Sequence, residues 1–441
     1  METARNLGAM LRSFRLEPLK EDELAEFFFK DTMAIRMGDE WQSPLRELLK
    51  ACTMPSVANA HLLLGHRGCG KSTELVNLKR QLEEAGQPVR IINCALELDL
   101  YKSTCWDIML LITEGLCAIA KEKNIAIPPA TIKAVLDYLK KDKEIIETED
   151  EAISAEASAG IKVNTPSLLD ILVKAFVSAK SEAKFSVGTR TEAKENLEKR
   201  TSEWLNYTKQ MAAFITDGCG GKQPVIIFES LDKLPIPENI FDILLFSALA
   251  EMPFPVIYTF PMSQCHSPRY STLSLYTKHI LPMIKISNLD KSENPEGISV
   301  MQEIVKKRAD LTLFDGESGN GVLEYLIKKT GGSLRQLFEC IMNAANRADW
   351  RGADKIQKED ADSALSRLRG VLTRQIVYPD YKSLVKIYND EQCRKRIDDL
   401  DLLLKMTHTS VVIEYQNGDR WHDLHPLIAE FLESQGEVGG Q

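Results

Sequence analysis

The sequence predicts an α/β protein: a parallel sheet flanked by helices, then an α-helical block, then a C-terminal winged-helix domain. Three observations lead there. The run 61–65 (HLLLG) reads as a strand, enters a glycine-rich turn and is followed by helical spacing over 72–85. Two more short, apolar, β-branched runs, 224–228 (PVIIF) and 255–260 (PVIYTF), have a helical pattern between them. Four helical stretches over 298–369 precede two apolar runs, 410–415 (SVVIEY) and 420–424 (RWHDL), joined through Asn417-Gly418, a strong short-range hairpin signal.

Composition agrees. The chain has 441 residues, long enough for about three domains. Hydrophobic residues make up 44% and charged residues 27%, an ordinary globular balance that excludes a mostly disordered, collagenous or coiled-coil protein. The net charge of −9 excludes a globally basic nucleic-acid coat, though not a local basic patch. The nine cysteines include no CxxC pair, so neither a zinc cluster nor a redox dithiol is signalled, and their odd number argues against a secreted disulfide framework. The first residues lack an apolar targeting core. The most apolar stretch, 239–262, is interrupted by Asp242, Glu251 and three prolines and is too broken for a membrane span. A cytoplasmic protein is expected.

In chain order, 1–57 reads as a helical lead-in, with short helical patterns at 24–29 and 44–49. A core is expected over 58–290. It holds the strand 61–65, the helix 72–85 punctuated by Gly86 and Pro88, and a second strand at 89–94. Helices follow over 102–145, with Ser103 or Thr104 as the N-cap. The charged, small-residue stretch 141–167 reads either as a mobile insertion or linker or as a solvated helix face with a loop. Helical spacing returns over 168–216, so a helical insertion is expected at about 120–216. Ile284 and Ile286 suggest a fifth strand. Residues 291–370 form a helical lid, 371–435 a winged helix and 436–441 a flexible tail.

The turn after the first strand, Gly65-His66-Arg67-Gly68-Cys69-Gly70-Lys71-Ser72, fits GxxxxGK[ST] without a mismatch. Glycines let the backbone fold into a nest whose N–H groups point at phosphates, and the next helix adds its positive dipole end. Lys71 is expected at the β- and γ-phosphates, and Ser72 in a Mg²⁺ shell, with Thr73 beside it. The site is therefore a P-loop on a strand–loop–helix unit, and the expected ligands are ATP or ADP with Mg²⁺. Cys69 reads as a small filler or as a redox switch. Arg67 either touches phosphate or faces solvent.

The run 225–232 (VIIFESLD) is a buried strand ending in acids. Glu229 takes the Mg²⁺-holding position, and Asp232 is expected to orient the attacking water or brace the site. Thr259 and, second, Gln264 stand at the tip of the neighbouring strand, where a polar group can meet the γ-phosphate or water. Gly331-Gly332-Ser333-Leu334-Arg335 opens a later helix. A cation in that first turn opposes the helix dipole, so Arg335 is expected over the nucleotide phosphates, against the alternative of a surface arginine.

With these four motifs in order, the chain resembles the AAA+ and STAND branch of P-loop ATPases and, in layout, origin-recognition-type ATPases. GHRGCGKS corresponds to Walker A, VIIFESLD to Walker B, VIYTFP to the sensor-1 strand and GGSLRQL to sensor 2. The resemblance spans roughly residues 40–435. It implies ATP bound between core and lid, often between neighbouring subunits, and a ring, filament or switch. Two departures stand out: the Walker B acid is Glu229 rather than Asp, and Ser230 stands where a catalytic Glu is usual. The pattern is nearer the STAND type, in which a nucleotide-held switch with slow ATPase activity is typical. Arg190, Arg269 and Arg308 are candidates for an arginine finger. Signalling members of such families in bacteria often serve anti-phage defence, which makes antiviral defence an expectation by analogy.

Partners follow from the same reading: a homo-oligomer, a protein effector on a separate chain, and DNA as the alternative. Residues 374–434 hold eight Lys/Arg and eleven Asp/Glu, so 8 − 11 = −3. An acidic module is poorly suited to phosphate neutralisation, which supplies most non-specific DNA affinity. The basic cluster Arg394-Lys395-Arg396 is followed at once by Asp398, Asp399 and Asp401. Trp421, His422 and His425 read as packing residues rather than base readers or metal ligands.

Overall fold

The computed structural model describes residues 1–30, 32–38, 43–54, 59–140, 187–316 and 321–437, with the backbone alone for 139, 140, 187–200 and 417. The insertion or linker expected over 141–167, the helical reading of 168–186 and most of the C-terminal tail lie outside the described residues.

Five strands form a parallel sheet of order β2-β3-β4-β1-β5. They are β1 (Ala60–Gly65), β2 (Val89–Asn93), β3 (Val225–Glu229), β4 (Val256–Pro261) and β5 (Thr277–Ile280). Every connection between neighbours that are close in sequence is a crossover through helices, as parallel pairing requires. β1 lies between β4 and β5, with Leu62 opposite Tyr258 on one side and Lys278 on the other. The loop after β1 therefore emerges near the middle of the sheet's C-terminal edge, beside the ends of β3 and β4, where open α/β sheets place ligands.

The strands bury both faces, which explains their nearly unbroken apolar sequences. Alternation still sorts the side chains. Leu62, Leu64, Ile226, Phe228, Val256 and Tyr258 join a core with the helix Cys105–Glu122 and the long helix Val187–Gly218. Leu63, Val225, Ile227 and Ile257 face the helices Pro44–Thr53 and Lys71–Glu84.

The fifth strand is a correction. Ile284 and Ile286 are not in it; β5 is Thr277–Ile280. Pro282 has no N–H to extend a ladder. Ile284 and Ile286 instead enter the helical core that follows. The mixed sequence TKHI gave no apolar strand signal.

The helical block comprises Pro295–Lys306, Val322–Lys329, Leu334–Trp350 and Lys358–Thr373, within a few residues of the expected spans. Its core is shared in two directions. The lead-in helix Leu7–Ser13 packs into it, with Phe14 edge-on to Phe338 at 5.3 Å between ring centres. The C-terminal helices Tyr381–Asn389, Leu400–His408 and Pro426–Ser434 contribute Leu384, Leu403, Met406 and Ile428 to it. The antiparallel hairpin of β6 (Val412–Asn417) and β7 (Asp419–Leu424) turns at Gly418, whose φ of +72° suits glycine. Its Ile413, Tyr415 and Trp421 pack against the sheet's own core. The hairpin thus reaches the β1 loop. No described helix is long and apolar enough to cross a membrane.

Candidate functional site

The β1 loop folds as its glycines require. Gly68 (φ +86°) and Gly70 (φ +100°) occupy the left-handed region. The turn is also crowded: a Cβ at Gly68 would lie 2.6 Å from Ser333 Oγ and 2.8 Å from Arg335 Cβ. The start of the helix Leu334–Trp350 therefore rests on the loop, and the Arg335 N–H donates to the Gly68 carbonyl at 3.4 Å. Gly331 (φ +60°) and Gly332 (φ +77°) make that approach: a Cβ at Gly332 would meet the Ile284 carbonyl oxygen at 1.9 Å.

A cavity of about 460 Å³ opens beside the loop. That is within the size range of small-molecule sites. Of the expected site residues, Arg67, Gly68, Gly70, Lys71, Ser72, Thr73, Asp232, Thr259 and Arg335 line it. The structure brings loop, acidic strand end, polar strand tip and helical block to one place.

Lys71 Nζ lies 2.9 Å from Asp232 Oδ2 and donates to the carbonyls of Gly65 at 2.7 Å and His66 at 3.1 Å. Both charged groups are about 7% exposed or less. Burial works against each charge, but the pairing outweighs it. Lys71 is held above its usual pKa, and Asp232 below the usual carboxylate range. The lysine is thus charged and held in the fork of the loop by a carboxylate.

Glu229 ends β3 opposite Asn93, is buried, and does not line the cavity. Of the two acids, Asp232 faces the loop. The reason is the chain path: Ser230 takes φ +68°, rare for a residue with a side chain, and turns 231–233 back towards β4. Thr259 holds that turn, with its Oγ1 donating to the Phe228 carbonyl at 3.1 Å and accepting from Leu231 N–H at 2.9 Å. Gln264 is buried, with Nε2 at 3.4 Å from Glu238, and does not line the cavity.

The arginines separate clearly. Arg335 lines the cavity, but its Nε donates to Glu339 at 3.3 Å and its side chain is half exposed. Arg308 lies in the same cavity wall, stacked over Phe338 at 4.8 Å and donating to the Phe27 carbonyl, so it is engaged within its own chain. Burial pulls its pKa down to about 10. Arg269 pairs with Asp242 at 2.6 Å on the surface. The side chain of Arg190 lies outside the described residues.

Cys69 and His66 do not line this cavity. Cys69 is buried, and its carbonyl accepts from Arg36 Nη2 at 2.7 Å. His66 turns away, and its Nε2 accepts from the Glu414 backbone N–H of β6 at 2.8 Å. Burial lowers its pKa to about 4, so the ring is neutral, as an acceptor must be.

Sequence reasoning missed the lead-in's share of the site. Leu16, Pro18, Leu19, Phe27, Phe28 and Phe29 line the cavity together with Ile304, Leu334 and Phe338. They give the polar loop an apolar annex. Arg36, fully buried, braces the loop through Cys69 and the Pro282 carbonyl. Glu74 on the following helix faces it; burial raises this carboxyl to about 7 against the pull of Arg36. The triple phenylalanine at 27–29 was the available signal for the annex.

These residues form a glycine-rich loop between β1 and the helix Lys71–Glu84 of a parallel α/β sheet, roofed by a helical block. No family model matches the chain, and no curated protein matches it. Solved structures do. The ADP form of the ORC2 protein of Aeropyrum pernix is 12% identical, with 96% of each chain covered and a TM-score of 0.39. Cdc6p of Pyrobaculum aerophilum is 12% identical over 96% of this chain and 98% of its own, at a TM-score of 0.38. The RuvB Holliday junction branch migration motor of Thermotoga maritima is 10% identical over 90% and 93%, at 0.33.

Proposed function

We propose that this chain is an ATP-binding, slowly hydrolysing molecular switch of the AAA+/STAND kind, whose nucleotide state controls self-assembly and a partner effector on a separate chain. One observation carries the reading. The phosphate loop is contacted directly by both downstream elements: Gly68 by the Arg335 N–H, and His66 by the Glu414 N–H. A ligand that reshapes this loop acts on the helical block and the hairpin together.

The residues fit the expected ligand. The loop glycines leave no room for side chains at Gly65 and Gly68, as a backbone nest for phosphate requires. Lys71 would meet the β- and γ-phosphates, Ser72 would enter the Mg²⁺ shell, and the aromatic annex would take the base. Bound Mg·ATP supplies the phosphoanhydride to be cleaved. A phosphate there would give Lys71 a new anionic partner and would free Asp232, the carboxylate nearest the loop, to help hold the cation or to orient the attacking water. Glu229, at the strand end, serves as its neighbour and second acid. Thr259 fixes the Asp232 turn. Arg335 leaves Glu339 for the phosphates as the lid closes. With Ser230 where a catalytic Glu is usual, hydrolysis is slow, which suits a switch that must persist. By analogy with signalling proteins it resembles, the setting is anti-phage defence in the cytoplasm.

The test is mass by light scattering with and without ATP·Mg²⁺, for wild type and Glu229→Gln. A discrete oligomer formed with ATP, and longer-lived in the variant, is the expected result. Nucleotide bound with no change of mass sinks the assembly switch. ATP-dependent DNA binding with a steep salt slope favours the initiator-type alternative, against which the −3 charge of residues 374–434 weighs.

A further inference from the structure

Behind the phosphate loop, on the far side of His66 from the cavity, a second cluster joins the segment after β4 to the hairpin. The side chains of Cys265, His266 and Glu414 bring a thiol sulfur, an imidazole nitrogen and a carboxylate oxygen within 4.8 Å of one another. Glu414 Oε2 lies 3.3 Å from His266 Nε2 and 3.1 Å from His422 Nε2. All three of these side chains are 5% exposed or less.

We propose that Cys265, His266, Glu414 and His422 form a zinc site that fastens the β6–β7 hairpin to the core beside the nucleotide loop.

Four observations support it. The first is proton accounting at His422. Its Nδ1 faces the Arg394 carbonyl at 3.3 Å and its Nε2 faces the Glu414 carboxylate at 3.1 Å. Both partners only accept. A neutral imidazole has one N–H, so one nitrogen lone pair confronts an oxygen unless the ring is doubly protonated or a cation lies between. With Nδ1–H on the carbonyl, Nε2 is the free ligand atom, which is the usual outer-partner arrangement of a metal-bound histidine.

The second is His266. Its buried Nε2 is 3.3 Å from the same carboxylate oxygen, yet no directed hydrogen bond joins it to any group among the described residues. Two ligand atoms flanking a shared centre have this relation. The third is spacing. With Zn–N near 2.0–2.1 Å and Zn–S near 2.3 Å, neighbouring ligand atoms of a tetrahedral site stand roughly 3.3–3.6 Å apart. The 3.3 Å separation of His266 from Glu414 and the 4.8 Å bound that takes in the Cys265 sulfur fit this, while His422, 3.1 Å from Glu414 but outside that trio, has to swing towards it to complete the set. The fourth is donor chemistry. One thiolate and two imidazoles select zinc over Mg²⁺ or Ca²⁺, which take oxygen ligands. The nucleotide's own cation therefore does not compete here.

The ligands come from two distant parts of the chain, so metal binding contributes directly to docking the hairpin. Since the Glu414 backbone N–H is the donor to His66 Nε2, the same clamp fixes the contact through which the hairpin meets the phosphate loop.

The experiment uses the full chain stripped with a chelator, with Zn²⁺ and Co²⁺ alone as probes. The expected result is one equivalent of Zn²⁺ by calorimetry, unaffected by excess Mg²⁺. Co²⁺ gives a thiolate charge-transfer absorption that Zn²⁺ abolishes. Cys265→Ser removes that absorption, and the isosteric Glu414→Gln weakens Zn²⁺ binding by about tenfold or more. Far-UV circular dichroism confirms folding, and if one variant fails to fold the other decides. Absence of stoichiometric binding to the wild type overturns the site. Undiminished Co²⁺ absorption in the folded variants overturns it equally, placing the metal on other cysteines. Nucleotide binding, read separately, is independent of either outcome.

Discussion

The pairing of Lys71 with Asp232 is the sharpest single-residue feature of the cavity. A buried pair costs more to break than it contributes, because the survivor is left charged and unsolvated. Lys71→Ala alone is therefore expected to lose nucleotide affinity and to destabilise the fold by about 3–5 kcal/mol, since Asp232 remains buried. Asp232→Asn in the same chain should recover most of that stability and none of the affinity. Urea unfolding of the two single variants and the double variant gives the coupling, and nucleotide titration gives the binding. If the double variant is as unstable as the sum of the singles, the pair is not coupled and the geometry is misread. Retained ATP affinity in Lys71→Ala overturns the site itself. Asp232 could not be ranked above Glu229 from sequence alone. The choice depends on the left-handed turn at Ser230, a backbone event that no side-chain pattern announces.

Among the elements, the helix Leu334–Trp350 matters most because its first turn sits on the phosphate loop. Gly332 makes that placement, with φ +77° and the Ile284 carbonyl where a side chain would start. Gly332→Ala should force the helix start away from the loop by moving backbone, not merely a flexible side chain. The left-handed conformation alone costs about 1 kcal/mol for a non-glycine residue, and the backbone clash adds to it. A lower urea midpoint together with weakened ATP affinity is the expected pair of effects. A stable variant with normal affinity would show that the helix start does not govern the loop. The element patterns themselves were readable beforehand: β1, β3 and β4 are buried on both faces and so are apolar throughout, and the four helices of the block carry regular stripes. β5 escaped because it lies at the sheet edge, where Thr277 and Lys278 need no burial. The lead-in escaped because its role is tertiary. Phe27, Phe28 and Phe29 gain meaning only when the chain returns, some hundreds of residues later, to close the cavity around them.

For the whole molecule, the buried imidazoles set a dependence on pH. His61 and His279 adjoin one another at 3.3 Å between β1 and β5, and burial lowers both to about 4. His425 joins the hairpin to the helical block through Gln336 at 3.0 Å, and burial lowers it to about 3. A histidine whose folded value lies below its unfolded value of 6.5 binds more protons when unfolded. Its contribution is present above pH 6.5 and is lost as the pH falls through the folded value. Glu74 acts in the opposite sense. Burial raises it to about 7, so its contribution is present below pH 4.5 and is lost as the pH rises through 7. Among these four groups three histidines oppose one carboxyl; burial also lowers His408 and raises Asp423 and Glu83, which add to the two sides in turn. Unfolding then takes up to 3 − 1 = 2 net protons between about pH 6 and 5. These four groups alone should make stability fall on acidification by about 2.7 kcal/mol per pH unit at the steepest in that window. Urea midpoints measured from pH 7.5 to 5 should decline steadily, and less steeply in His279→Asn. A flat or rising profile would mean that these rings are charged in the folded chain, and that sheet, block and hairpin do not close over them as one packed body.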